Sequence, residues 1–276
     1  MRFLLTLLSF FAVSANYCQF YFNDIISTQQ GNEQYQLLRS LKVKKITATS
    51  FEADNNISQG FSLEQEISMD GKKIVLSTAT SIGKTSVTNR TYELGRLKKS
   101  QFNNNGIDNK TDYFYSDNKA LQSILLTIID TALKSTLLES HEWKYNEKGQ
   151  PISMLQIKNK KDSIMVKIST DEKGLVLEEN WYKKNKVVET YYYYYDTKNQ
   201  LTDIVRYYTK LKKLLPDFQY EYNEEGRVSQ LLQISMSSSN YVIWKYGYNE
   251  RGLKIKEIAY DKEKKMIGRI EYLYIY

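Results

Sequence analysis

The chain has 276 residues, 41% of them apolar, a share too high for a disordered chain and long enough to build a sizeable core. A single His and a single Cys rule out metal sites built from those ligands and any intrachain disulfide. Net charge is +7, but Lys and Arg are interleaved with Glu and Asp along the whole length, so no nucleic-acid partner is expected.

Residues 1–15 have the layout of a signal peptide. Arg2 is a minimal charged region, and Phe3 to Val13 form an apolar run of eleven residues. A bilayer core needs about twenty, so this run is too short to span it. Val13, Ser14 and Ala15 supply small residues for cleavage after Ala15. The expected destination is outside the cytoplasm: periplasmic, cell-surface or secreted. Cys18 would anchor the chain to a membrane only if lipidated, and bulky Tyr17 stands where lipoprotein signals place a small residue. A soluble exported protein is the expectation.

Residues 16–41 form an N-terminal segment with a short helix. Ile25, Tyr35, Leu38 and Leu41 fall at roughly helical spacing, which Gly31 weakens. Residues 42–276 read as one repetitive antiparallel sheet domain. The 24 Tyr in the chain favour pleated, half-buried surfaces. Turn-closing residues recur at Gly149, Gly174, Asn199, Gly226 and Gly252, a period of about 25. Weaker copies end at Gly71, Gly95 and Lys119. Each unit carries alternating aromatics into a turn, then Asn or Asp, two polar residues and Gly or Asn, then an alternating return strand. The stretch 121–138 also has a helical series, Leu121, Ile124, Leu125 and Ile128. Its opening matches the repeat position by position, so the sequence predicts a strand there. The expected fold is all-β: a long antiparallel meander of repeated hairpins, roughly 16–20 strands, preceded by a short helix. Whether the sheet is open, coiled or closed stays undecided at this level.

The units "YEYNEEGRVSQL" and "YGYNERGLKIKE" resemble the Tyr-Asp repeats of Rhs- and teneurin-type proteins, with Tyr220, Tyr222, Asn223, Gly226, Arg227 and Val228 in one copy. Tyr246, Tyr248, Asn249, Gly252 and Leu253 fit in the next. The match is clearest over 143–276. The resemblance implies successive hairpins of one curling sheet and an extracytoplasmic surface. The period here is longer than the family's, and the chain is too short to close a large shell, so cargo encapsulation is not carried over.

Chemistry is sparse. No catalytic residue, metal site or cofactor is expected, and the protein reads as no enzyme. His141 lies in an ordinary strand context, "LESHEWKY", and a structural role suits it better than catalysis. "SIGKTS", from Ser81, lacks the upstream Gly of a phosphate loop. The aromatic stripes offer the one ligand-binding candidate: Tyr193, Tyr220, Tyr222, Trp244, Tyr246 and Tyr248 could stack on a glycan or grip another surface protein. Cross-strand packing within the sheet explains the same residues. The C-terminal alternation of Ile270, Tyr272, Tyr274 and Tyr276 resembles the last strand of an outer-membrane barrel. Lysines in "LKIKEIAY" and "IKNKKDSIMVK" stand where a lipid-facing band belongs. The leading expectation is a non-catalytic binding or structural protein at the cell surface or in the periplasm. The alternatives are a carbohydrate- or lipid-binding protein with a concave aromatic face and an outer-membrane barrel.

Overall fold

The computed structural model describes residues 19–80, 83–104, 106–208, 212–234 and 240–276. The signal peptide read over 1–15, Cys18 and the start of "SIGKTS" lie outside the described residues. A π-helical turn, Tyr21–Ile26, continues into α1 (Ser27–Ser40). Eighteen strands follow. The first nine are β1 (Lys45–Glu52), β2 (Ser62–Ile67), β3 (Lys73–Thr80), β4 (Gly83–Glu93), β5 (Arg96–Asn104), β6 (Ile107–Tyr115), β7 (Leu121–Asp130), β8 (Ser135–Tyr145) and β9 (Pro151–Lys158). The rest are β10 (Asp162–Thr170), β11 (Val176–Lys183), β12 (Lys186–Tyr195), β13 (Leu201–Tyr208), β14 (Lys213–Tyr222), β15 (Val228–Ile234), β16 (Tyr241–Tyr248), β17 (Lys254–Tyr260) and β18 (Met266–Ile275).

Each strand pairs antiparallel with the next, and β18 pairs back onto β1, from Lys45 opposite Ile275 to Glu52 opposite Gly268. The meander is therefore a closed barrel with no free edge, and closure removes the row of unpaired amides that an edge strand would offer to other chains. The stretch from Leu121 is strand, as its match to the repeat predicts.

The repeat has a visible physical basis. At five turns of the upper rim the Asn or Asp side chain accepts the amide of the residue four positions on: Asn146 from Gln150 (2.9 Å), Asp171 from Leu175 (2.8 Å), Asp196 from Gln200 (2.8 Å), Asn223 from Arg227 (2.8 Å) and Asn249 from Leu253 (3.0 Å). The closing residue sits at positive φ, +77° at Gly226 and +81° at Gly252, where a side chain would be strained. The Tyr just before the turn bolts one hairpin to its predecessor. Tyr145 donates its hydroxyl to the Leu121 carbonyl (2.6 Å), Tyr222 to Leu201 (2.7 Å), Tyr248 to Val228 (2.8 Å) and Tyr274 to Lys254 (2.7 Å). Sequence periodicity and barrel geometry are thus linked: four of the repeats supply a clamp to the strand pair before them.

The helical segment lies inside the barrel. Its first residues sit against the middle of the wall, where Phe20, Trp143, Met154, Val166, Trp181, Tyr191, Tyr193 and Ile204 form the largest core cluster. Its last turn reaches the upper rim, where Leu38, Val43, Ile46 and Leu253 pack together. Between them Tyr35 stacks on Tyr92, with ring centroids 3.8 Å apart, and donates to the Gly71 carbonyl. A barrel of this strand number would enclose a wide lumen. Here the chain's own N-terminal segment occupies it.

Candidate functional site

Two places gather polar chemistry: the seat of the N-terminal segment in the lumen, and a cleft on the upper rim.

The lumenal seat is built from inward-facing carboxylates. Glu179 on β11 is fully buried and accepts four hydrogen bonds. They come from the amides of Phe20 (2.9 Å) and Tyr21 (3.0 Å), the Trp181 indole (2.6 Å) and the Tyr193 hydroxyl (2.7 Å). A carboxylate placed there satisfies amides that the first turn leaves without carbonyl partners, and it suits the positive end of the helix. Burial pushes its pKa up to about 7 against the opposing pull of those donors. Asp24 accepts from the Trp143 indole (3.0 Å) and pairs with His141 Nδ1 (2.8 Å), whose Nε2 meets Glu139 (2.9 Å). Burial disfavours the imidazolium, but Asp24 and Glu139 outweigh it and raise the pKa of His141 to about 10. Gln19 donates to Asp217 (2.8 Å), which also pairs with Arg206 (3.2 Å). The single histidine is thus a structural group linking plug and wall, and these side chains are engaged in holding the segment in place.

The rim cleft lies between the β14–β15 and β16–β17 turns. It is an open cleft of about 360 Å³ lined by Asn223, Glu225, Arg227, Ser229, Tyr246, Tyr248, Asn249 and Glu250. The Arg227 guanidinium lies 5.7 Å from the centre of the Tyr248 ring. Burial raises the Tyr248 hydroxyl to about 12, so it stays a neutral donor at physiological pH. The cleft therefore offers one guanidinium, two carboxylates, two amides and the hydroxyls of Ser229, Tyr246 and Tyr248, the last already donated to the Val228 carbonyl, around aromatic surface, a set suited to hydrogen-bonding a polar ring compound.

The structure separates the six aromatic candidates. Tyr246 and Tyr248 line the cleft. Tyr222 serves as a hairpin bolt one repeat away. Tyr193 is 2% exposed beneath Tyr21, Tyr220 meets Phe22, and Trp244 is buried with Leu231 and Ala259. In the sequence Arg227 belongs to the Tyr-Asp-like copy, and Glu225 and Glu250 are simply the polar residues of two successive turns. Their meeting depends on two turns 26 residues apart standing side by side, and the repeat period itself is the signal that would have found it. Among the described residues no group of His, Cys, Asp and Glu is arranged to hold a metal ion, and no helix is long and apolar enough to cross a membrane.

No family model matches the chain, and no curated protein matches it. Solved structures do. The crystal structure of TcdB2-TccC3-Cdc42 is similar at 14% identity and a TM-score of 0.37, over 76% of this chain and 12% of that one. The Tc holotoxin pore of Photorhabdus luminescens is similar at 12% identity and a TM-score of 0.35, again over 76% and 12%. A porin-like protein from Bacteroides uniformis gives 11% identity and a TM-score of 0.45, over 84% of this chain and 98% of that one. The chain spans about an eighth of the toxin chains and nearly the whole of the porin-like protein.

Proposed function

We propose that this is an exported, non-catalytic binding protein: a barrel standing in water, closed internally by its own N-terminal segment, that takes a saccharide in the cleft on its upper rim. The observation that carries the reading is the cleft, where Arg227, Glu225, Glu250 and two turn amides surround Tyr246 and Tyr248. Export is supported by the apolar run behind Arg2. A glycan array probed with the purified protein tests it. Arg227→Ala and Glu250→Ala strip the cleft without touching the lumen, and each is expected to weaken a bound glycan at least tenfold, a loss of about 1.4 kcal/mol. A glycan bound equally by both variants, or none bound at all, would remove the reading.

A second reading, insertion in an outer membrane, draws on closure itself, since spanning sheets need every strand paired. The outward face bears on the choice. Ile270, Tyr272 and Tyr274 of β18 face the lumen, so Arg269 and Glu271, paired at 2.9 Å, face out. On the same outer face Lys45 of neighbouring β1 pairs with Glu64 (2.6 Å), and farther round, on β6, Lys110 pairs with Asp112 (2.6 Å). A lipid-spanning barrel needs an unbroken apolar band about 25 Å tall around its circumference. The mid-strand pairs on β18 and β6 interrupt any such band at two places on its circumference, and the Lys45–Glu64 pair lies above them near the upper rim, which supports the barrel in water. Extraction from membranes by alkaline carbonate is the expected behaviour, and resistance to it would favour insertion.

A further inference from the structure

The two rims of the barrel differ in charge. From β7 to β18 the upper-rim turns, 116–120, 146–150, 171–175, 196–200, 223–227 and 249–253, hold eight carboxylates and six basic residues. The lower-rim segments of the same sector, 130–135, 158–162, 183–186, 212–213 and 261–265, hold twelve lysines and four carboxylates. The positive charge of the chain is concentrated on one end of the barrel.

The turns also differ in what they tolerate. Between β7 and β18 the upper-rim turns close on Gly or Asn, with Lys119 the exception, whereas the lower rim of that sector places lysine itself at positive φ: Lys134 (+48°), Lys160 (+57°), Lys184 (+48°), Lys212 (+51°) and Lys264 (+62°). The turn at Asp261–Lys264 makes the same backbone hydrogen bond as Asn249–Gly252, yet carries lysine where the other carries glycine. Folding alone would favour glycine at each of these positions. Five lysines at positive φ on one rim place charge where backbone strain argues against any side chain.

Apolar side chains stand among these lysines. Leu133 is 77% exposed, Val187 53%, Val188 51% and Leu214 49%. Exposed aliphatic tips ringed by lysines match the interface of a bilayer, where the tips enter the headgroup layer and the lysines meet anionic lipid. The outer wall from β18 to β6 does not offer this surface, because charge pairs interrupt it there.

We propose that the lower rim between β7 and β18 is a docking surface for an anionic lipid bilayer, which the barrel meets end-on without crossing it. The upper-rim cleft then faces away from the membrane.

Flotation of the purified protein with vesicles tests this. One set is phosphatidylcholine alone and the other is phosphatidylcholine mixed with phosphatidylglycerol. Binding is expected to the mixed vesicles only, and it weakens as salt rises. Each lysine removed costs about fivefold in partitioning, so K134G/K160G/K184G loses about a hundredfold. The same variant replaces strained lysines by glycine, so its melting temperature stays level or rises, which separates lost binding from lost fold. L133S/L214S weakens what binding survives at high salt. Lys148→Ala and Lys198→Ala on the opposite rim leave binding unchanged. Failure to bind mixed vesicles, equal binding to phosphatidylcholine, indifference to the three glycines, or stronger retention on an anionic oligonucleotide than on vesicles would each overturn the proposal.

Discussion

Glu179→Gln is the most direct probe of how the plug is held. In the folded protein the carboxyl group has a pKa of about 7, raised from 4.5 mainly by burial. Below pH 4.5 it is protonated in both folded and unfolded chains and contributes no pH dependence. Between 4.5 and 7 the folded state keeps a proton that the unfolded state has released, so stability falls as pH rises. The slope is about 1.4 kcal/mol per pH unit, giving about 3 kcal/mol across the window, and it is flat above 7. Asp217 and Glu189 are also raised by burial and add slope at the acid end, so the comparison with the variant isolates Glu179. Glutamine keeps the volume and cannot ionise. Its amide oxygen can serve one pair of donors, Phe20 and Trp181 or Tyr21 and Tyr193, while its NH₂ faces the other pair, so the variant is about 1–3 kcal/mol less stable than the wild type with Glu179 protonated. Urea denaturation of both proteins from pH 4.5 to 9 measures the difference. The variant is expected to be the less stable near pH 5 and to match or exceed the wild type by pH 8. A gap that stays constant with pH would refute the assignment of a buried, proton-retaining Glu179.

The single imidazole gives a second pH signal. The folded pKa of His141, about 10, lies above its ordinary 6.5, so its stabilising contribution is complete below pH 6.5 and is lost as pH rises toward 10. Its ring resonances should show a protonated imidazole at pH 8, and a neutral ring there would contradict the Asp24–His141–Glu139 bridge. Tyr248→Phe removes one hairpin bolt, the hydroxyl donated to Val228, and should cost about 1 kcal/mol in chemical denaturation. Gly268→Ala places a methyl 2.9 Å from the Phe51 carbonyl at the β18–β1 seam and should cost about 1–3 kcal/mol. The seam amides of Lys44 to Glu52 should exchange faster with solvent than the rest of the sheet, whereas uniform exchange would mean the seam had not yielded.

What the sequence made legible was local. The Asx turn spans four residues, so Asn223 and Arg227 or Asn249 and Leu253 declare it side by side, and a tolerant motif repeated at a steady period declares hairpins. The bolt from Tyr248 to Val228 reaches back 20 residues and is invisible in any one copy, although the same Tyr in each period hints that something recurs with it. Closure joins residues more than 200 positions apart, Lys45 with Ile275, and neither strand's own pattern says whom it meets. Inside and outside were hidden for the same reason. A tyrosine stripe on a strand reads equally as a ligand platform or a buried wall until the sheet curls and one face becomes a lumen.

The N-terminal segment shows how far this limit extends. A helix could be read from Tyr35, Leu38 and Leu41, but not its position, because its partners lie on strands 60 to 200 residues away: Leu97 for Asn32, Glu179 for Phe20, Asp217 for Gln19. The clue was present as an imbalance. Asp24 breaks an apolar face that a surface helix would have kept clean, and Glu179 puts a charge among the aromatics of β11 and β12. A buried acid is tolerated only where donors await it, so an acid in an apolar stripe implies a partner brought from elsewhere in the chain. The lysines of the lower-rim turns are the converse case. Lys134, Lys160 and Lys184 look unremarkable in sequence, as lysines in turns do, and only their positive φ shows that folding alone would have chosen glycine there.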